Sequence, residues 1–316
     1  MDQIFQSLDK NIYIIQNQDL ILKSLVSQRK LYNYAKCLNY VYFSVCVVLP
    51  LVYSILKTYF SGEAFLAAGS LITVILMLLS QIISEQCKIA KQKAAKIQQT
   101  IDFILFKNDT FKSVDDDWGK LYTKDELCVL NAKLKSNKKE IEKVRNWYSD
   151  YSKLSHIKQV FYSQCECVRW DDSLRNSFGI FLAFLTSILF ISIIIFAVSL
   201  KMSVSEFLIS IATLSPIIQY SITVFIQLKK DKNRLKEIYD LQKYVSQNNL
   251  YKPDDILFYK RVIKIQNKIY EHRENAFLIP NSFYKILKKR QQRIEFEISV
   301  QKQSEDKNDI RNKKPN

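Results

Sequence analysis

The sequence predicts an all-α, polytopic membrane protein with four transmembrane helices in two hairpins and a helical cytoplasmic region. Three observations lead there. Uncharged apolar runs occupy residues 37–56, 64–84, 178–200 and 207–228, each 20 to 23 residues long. A helix of ~20 apolar residues crosses the ~30 Å hydrocarbon core of a bilayer. The links inside each pair, KTYFSGE at 57–63 and KMSVSE at 201–206, can join only adjacent antiparallel helices. Lastly, 45 of the 47 lysines and arginines lie outside both the runs and these two tips. A buried helix of a soluble core is an inferior explanation, because its far side usually meets water. The third run, FGIFLAFLTSILFISIIIFAVSL, is apolar on every face.

The side rich in Lys and Arg is cytoplasmic, judged best from residues close to the helix ends. Lys30, Lys36, Lys88, Lys91, Arg169, Arg175, Lys229, Lys230 and Lys232 all stand there. Both termini and residues 85–177 are therefore expected in the cytoplasm, with the two tips outside.

Taken in order, residues 1–36 form an amphipathic lead-in helix in which Leu20, Leu22, Leu25 and Leu31 alternate with Lys23, Arg29 and Lys30. Tyr32, Tyr34 and Tyr40 fall where an interfacial aromatic belt is expected. Residues 37–84 are the first transmembrane hairpin, and 85–177 a helical cytoplasmic middle region. Within it Ala90, Ala94, Ile97, Ile101 and Ile104 recur at spacings of three and four, so the second membrane helix should continue into the cytoplasm and pack along that stripe. The stripe fits a seam between subunits and packing inside one subunit equally well. Asn108 to Gly119 should break the helix, and Thr123 with Glu126 has capping-box spacing, opening a helix to about Arg145. Residues 178–228 are the second hairpin. Residues 229–298 are a helical C-terminal region: Leu235, Ile238, Leu241 and Val245 share one face, Asn248 to Pro253 is a break, a further helix starts at Ile256, and Pro280 precedes a basic helix over 283–298. The polar segment 299–316 is expected to be disordered. The two halves repeat the same order of elements, as duplicated units do in pores and transporters.

Composition excludes several chemistries. The four glycines stand apart, so no phosphate-cradling glycine loop exists. Two histidines, His156 and His272, leave no evident nucleophile–base pair. Cys165 and Cys167 are spaced too closely for the usual zinc pair, and in a reducing cytoplasm free thiols are expected. Asp115, Asp116 and Asp117 read as a solvated loop rather than a cation site. No catalytic residue, cofactor or metal site is expected, and residues 1–36 hold no signal-peptide core. The net charge of +16 needs no nucleic acid: the excess concentrates after Lys229, where anionic lipid heads attract basic residues at ~1 kcal/mol each. Direct DNA or RNA binding is not expected.

Several segments, in order, carry a family resemblance: QRKLYNYAK at 28–36, AAKIQQTID at 94–102, NWY at 146–148, RWDDSLR at 169–175 and IPNSFY at 279–284, followed by Arg290 and Glu295. Together they span nearly the whole chain, and the arrangement resembles the SMODS-associated four-transmembrane effectors of bacterial cyclic-oligonucleotide antiphage signalling. The family pattern places a Cys-Gln pair and an Asn before the Trp-Asp, where this chain has Ser163-Gln164 and Cys167. The resemblance implies a multi-pass protein of the bacterial inner membrane that damages this membrane when a partner nucleotidyltransferase makes a cyclic nucleotide. Abortive infection would follow.

Three readings of function remain open on the residues. The first is a ligand-gated pore or membrane-disrupting effector. Because four helices do not easily enclose water, it requires a homo-oligomer in membrane lipid. The second is a transporter, whose intramembrane charges are missing from all four runs. The third is a non-conducting membrane scaffold or receptor subunit. For a pore, the lining candidates are Thr213, Pro216, Tyr220, Thr223 and Gln227, which recur at three and four along the fourth run and so share one helix face. Interhelical hydrogen bonding explains that face as well. For a ligand, Arg169, Trp170 and Arg175 offer guanidinium forks and an aromatic face. Anchoring at the lipid interface and pairing with nearby carboxylates explains them more simply.

Overall fold

The computed structural model describes residues 11–60, 62–107, 121–247 and 256–312, without certain side chains inside those helices, Thr213 and Ser210 among them. The expected breaks at 108–119 and 248–253, the run Asp115 to Asp117 and Ser61 lie outside the described residues. Among the described residues every regular element is a helix.

A short helix α1 (Ile12–Ile15) is capped by Asn11, whose side chain accepts from the Tyr13 N–H. The next helix, α2 (Asp19–Phe43), carries the lead-in segment straight into the first apolar run. A π-helical turn, Ser44–Val48, joins it to α3 (Leu49–Tyr59) without an interruption. Pro50 supplies the reason, since proline has no N–H to give the preceding turn and its ring crowds the carbonyl four residues back. In the π turn the Leu49 N–H reaches the Ser44 carbonyl, one residue further back than in an α-helix.

Three helices of 44 residues follow the same plan: α4 (Glu63–Phe106), α7 (His156–Ser199) and α8 (Val204–Gln247). At 1.5 Å per residue each is ~66 Å long, about twice a bilayer core. Each unites one apolar run with a more polar half. The helix pair α3 and α4 approach so closely at Gly69 that any Cβ there would strike the Tyr53 ring. Between α7 and α8 the chain turns through Lys201 at a φ of 47°, with the Met202 N–H returning to the Ala197 carbonyl. Three helical stretches are long and apolar enough to cross a membrane: Asp19–Tyr53, Glu63–Phe106 and His156–Ser199. The fourth run lies on α8, where Pro216 sits inside an unbroken helix. In all four runs large apolar side chains such as Leu78, Phe184, Ile195 and Ile222 stand exposed.

The main core lies outside the apolar runs, among the polar halves of these helices. From α2, Ile21, Leu22 and Leu25 meet Ile97, Ile101 and Leu105 of α4, with Val160 and Phe161 of α7 and Ile238 of α8 closing the cluster. Full burial of such a side chain contributes roughly 1.5–3 kcal/mol. Ala90, Ala94, Ile97 and Ile101 are all at most 4% exposed, and α2 and α4 pack more extensively than any other pair. These four residues of the stripe are thus packed inside the subunit.

Smaller elements complete the core. The Thr123–Glu126 capping box forms as expected and opens α5 (Lys124–Leu134). The helix expected to reach Arg145 stops earlier, because Lys135 turns to a φ of 39°. Asn137 and Glu140 then build a second capping box for α6 (Lys138–Glu142). Two further helices, α9 (Ile256–Asn275) and α10 (Asn281–Asn312), flank Pro280. The last extends past Ile298 into the segment expected to be disordered. Its end is tied down by the Lys158–Asp306 ion pair and by a bond from Gln303 Nε2 to the Asp150 carbonyl, 2.7 Å.

Candidate functional site

Residues far apart in sequence meet in pairs, across α2 and α4 as well as where α10 runs back along α7. Gln28 Nε2 donates to Gln98 Oε1 at 2.8 Å. Tyr148 donates to Asp102 Oδ1 at 2.6 Å. The Arg169 guanidinium grips Glu295 through Nη2 at 2.6 Å and Nε at 3.3 Å. Asn281 donates to Asn33 Oδ1 at 2.8 Å and accepts from Lys36 Nζ at 2.7 Å. Each pair joins two of the segments singled out in the sequence, so the scattered motif residues hold one another.

At the centre stands Asp102, 1% exposed. It accepts from Tyr148, from Arg273 Nη1 at 2.5 Å and from Gln266 Nε2 at 2.9 Å. Gln266 in turn donates to Gln99, and Gln164 donates to Gln266 and to the Val262 carbonyl. Burial lifts the Tyr148 hydroxyl well above its usual range, and the Asp102 carboxylate adds to that. The Cys167 thiol lies 3.4 Å from Arg273 Nη2, and burial pushes its pKa up to about 11 against the pull of that guanidinium. It is a thiol at neutral pH and a poor nucleophile. Burial pulls the Arg273 pKa down, but Asp102, Cys167 and Tyr148 together outweigh it and keep the guanidinium charged. The cluster is closed and internally balanced. Among the described residues no group of three potential metal ligands occurs.

A second cluster sits where α7 and α8 leave the apolar runs. Arg175, 8% exposed, donates to Asp171 Oδ2 at 2.7 Å, to Asp231 Oδ2 at 2.5 Å and to the Phe277 carbonyl at 3.1 Å. His272 Nε2 meets Asp171, and Arg234 meets Asp231 Oδ1, each at 2.5 Å. Burial pushes the Asp171 pKa up, but Arg175 and the His272 hydrogen bond outweigh it and hold the carboxyl below its usual range.

The three ligand candidates do not converge. Arg169 faces Glu295 and Arg175 faces Asp171 and Asp231. The Trp170 ring lies 5.8 Å from that of Tyr284. A cleft lined by Trp170, Ser173, Leu174, Tyr284, Leu287 and Gln291 has about 10 Å³ of solvent space, room for one water at most. The pore-lining candidates divide too. Tyr220 packs edge-on to Phe43 at 4.9 Å. Thr223, exposed, bonds the Gln219 carbonyl of its own helix, and Pro216 is half-buried. Gln227 belongs to the second cluster, donating to Asp231 Oδ1 and the Asn275 carbonyl. The Thr213 side chain lies outside those described.

Sequence reasoning gave no role to Asp102, Asp231, Gln266, His272 or Arg273. One signal pointed to Asp231: a lone carboxylate within a basic stretch, four residues beyond Gln227 and one turn past an apolar run. Asp102 likewise closes the AAKIQQTID segment at an otherwise apolar stripe.

Residues 10–302 match the family described as the SMODS-associating 4TM effector domain. The chain is also similar to a protein described as a probable CBASS effector molecule of Bacillus cereus strain VD146. The two are 27% identical over 229 residues, covering 71% of this chain and 75% of the relative. No solved structure matches the chain.

Proposed function

Since the chain belongs to the SMODS-associating 4TM effector family, we propose that it is the membrane effector of a bacterial antiphage system. A partner nucleotidyltransferase supplies a cyclic nucleotide, the cytoplasmic helices sense it, and a homo-oligomer then forms a pore in the inner membrane or disrupts it. All four apolar runs span the bilayer in this reading, with both termini in the cytoplasm. The relative in Bacillus cereus and the family description both support a CBASS effector in antiphage defence.

One observation of the structure carries the mechanism furthest. The helices that hold the buried polar clusters are the same continuous helices that carry the apolar runs: Asp102 on α4, Arg175 on α7, Asp231 on α8. A ligand that alters packing around those residues acts directly on membrane segments without crossing a hinge. Population shift requires only that the ligand bind one arrangement better than the other. Exposed apolar side chains all around the runs give lipid or further copies a surface to meet. In an open oligomer the α8 face bearing Thr223 and Gln227 turns toward water.

Dye release tests this reading, using purified protein in vesicles of phosphatidylethanolamine and phosphatidylglycerol and a panel of cyclic di- and trinucleotides. Release under one nucleotide and none without it is expected. Silence under every nucleotide, with oligomer size unchanged, would favour a non-conducting scaffold or receptor subunit.

A further inference from the structure

The short connection between α9 and α10, residues 276–280, together with Asn281 at the start of α10, touches all four membrane-entering helices where they leave the apolar runs. From α4, Lys91 Nζ donates to the Ala276 carbonyl at 3.1 Å. Both backbone groups of Phe277 are engaged: its N–H donates to Asp231 Oδ2 of α8 at 2.8 Å, and its carbonyl accepts from Arg175 of α7. On the α2 side, Lys36 and Asn33 hold Asn281. Apolar contacts follow the same map. Phe277 and Phe283 lie 5.9 and 5.4 Å from Phe178, the first residue of the third run. Ile279, 4% exposed, joins Phe178, Val224 and Leu228 in a small cluster separate from the main core.

We propose that residues 276–283 are a latch that holds the cytoplasmic ends of the four membrane helices together in the resting state, and that activation withdraws it. The inference rests on the effector reading above, and names the part of the protein that regulates it. Two features make this segment suited to the task. It is the only described segment bonded to α2, α4, α7 and α8 at once near the ends of the runs. It also lies between α9, whose Gln266 and Arg273 enter the Asp102 cluster, and α10, whose Glu295 holds Arg169. A shift of either helix therefore pulls on it. Asp231 and Arg175 are bonded to each other as well as to Phe277, so loss of the segment removes two of the bonds that fasten α7 and α8 at this level and leaves their own ion pair to hold them.

The test does not need the activating ligand. Asn281→Ala removes the α2 hold and Lys91→Met the α4 hold, and the two variants are independent should one fail to fold. Circular dichroism and detergent-solubilised size are checked first, then dye leak from the vesicles described above. Each folded variant is expected to leak about tenfold faster than the parent without nucleotide, the factor that loss of ~1.4 kcal/mol produces. In Lys91→Met carrying Asn33→Cys and Asn281→Cys, with exposed Cys37 and Cys128 replaced by serine, oxidation should restore the slow leak and a reductant reverse it. Folded variants that stay as tight as the parent overturn the latch, as does equal leak in the crosslinked and reduced states. Leak from the loosened variants alongside a parent silent to every nucleotide supports the latch and removes the ligand reading alone.

Discussion

Tyr148 and Asp102 show how unequal two partners in one bond can be. Tyr148→Phe removes one donor from a carboxylate that keeps Arg273 and Gln266, at a cost of about 1–3 kcal/mol. Asp102→Ala leaves the Arg273 guanidinium buried without its counter-charge, and should cost ~3–5 kcal/mol. Thermal unfolding in detergent ranks the two, and equal losses would show that Arg273 finds another partner. Glu166 makes a separate prediction. Burial pushes its pKa up from 4.5 to about 7, against the pull of the Ser149 N–H and with a smaller push from Glu295. The folded chain then holds a proton that the unfolded chain releases, so this contribution is full below about pH 4.5 and is lost as pH rises toward 7. Glu166→Gln keeps a neutral group in place. The melting temperature of the variant relative to the parent should climb over that interval and level off above it.

At the scale of single helices, the α2–α4 contact gives the sharpest prediction. Ala94 is fully buried, so Ala94→Glu puts an unpaired charge and extra volume between two helices and should abolish the folded, monodisperse species rather than merely dissociate an oligomer. Size-exclusion chromatography with circular dichroism separates these outcomes. The stripe was legible in the sequence because its residues are apolar and recur at helical spacing. So was the Thr123–Glu126 box, which depends on two side chains within one turn. The start of α7 was not legible, because its buried face includes Gln159, Ser163, Gln164 and Glu166, and a search for apolar periodicity passes over buried polar residues. The length of α10 was hidden for a related reason: its far end is held by an ion pair and a bond to the Asp150 carbonyl, not by an apolar face. For the candidate site, helix geometry already carried a warning. Six residues at 100° each set Arg169 and Arg175 about 120° apart around α7, on different faces.

For the molecule as a whole, the expected topology is the measurement that orders everything else. Reporter fusions at position 120 and at the C-terminus should report cytoplasm, and a cysteine placed at Ser61 should react with an impermeant maleimide added outside. External labelling near position 120 would reverse the orientation and put both polar clusters on the wrong side for a cytoplasmic signal. With the orientation as expected, α4, α7 and α8 act as rods that begin in the bilayer and end in the polar core. Their lengths match at 44 residues, and the core fastens their lower halves while the latch fastens their middles.

The latch also imposes an order in time. Ribosomes add ~5–20 residues per second, and the chain emerges from its N-terminus, so all four apolar runs are made before Phe277 exists. Roughly fifty residues separate Leu228 from Asn281, an interval of some ~3–10 seconds at that pace. Throughout it the newly inserted helices have no clasp. A chain cut short in that window should be harmful by itself: expression of residues 1–247 should arrest growth in cells that lack any nucleotidyltransferase partner, whereas residues 1–177 should not. Growth curves with membrane-potential dye decide it, and equal growth of both would mean that the nascent helices stay closed on their own.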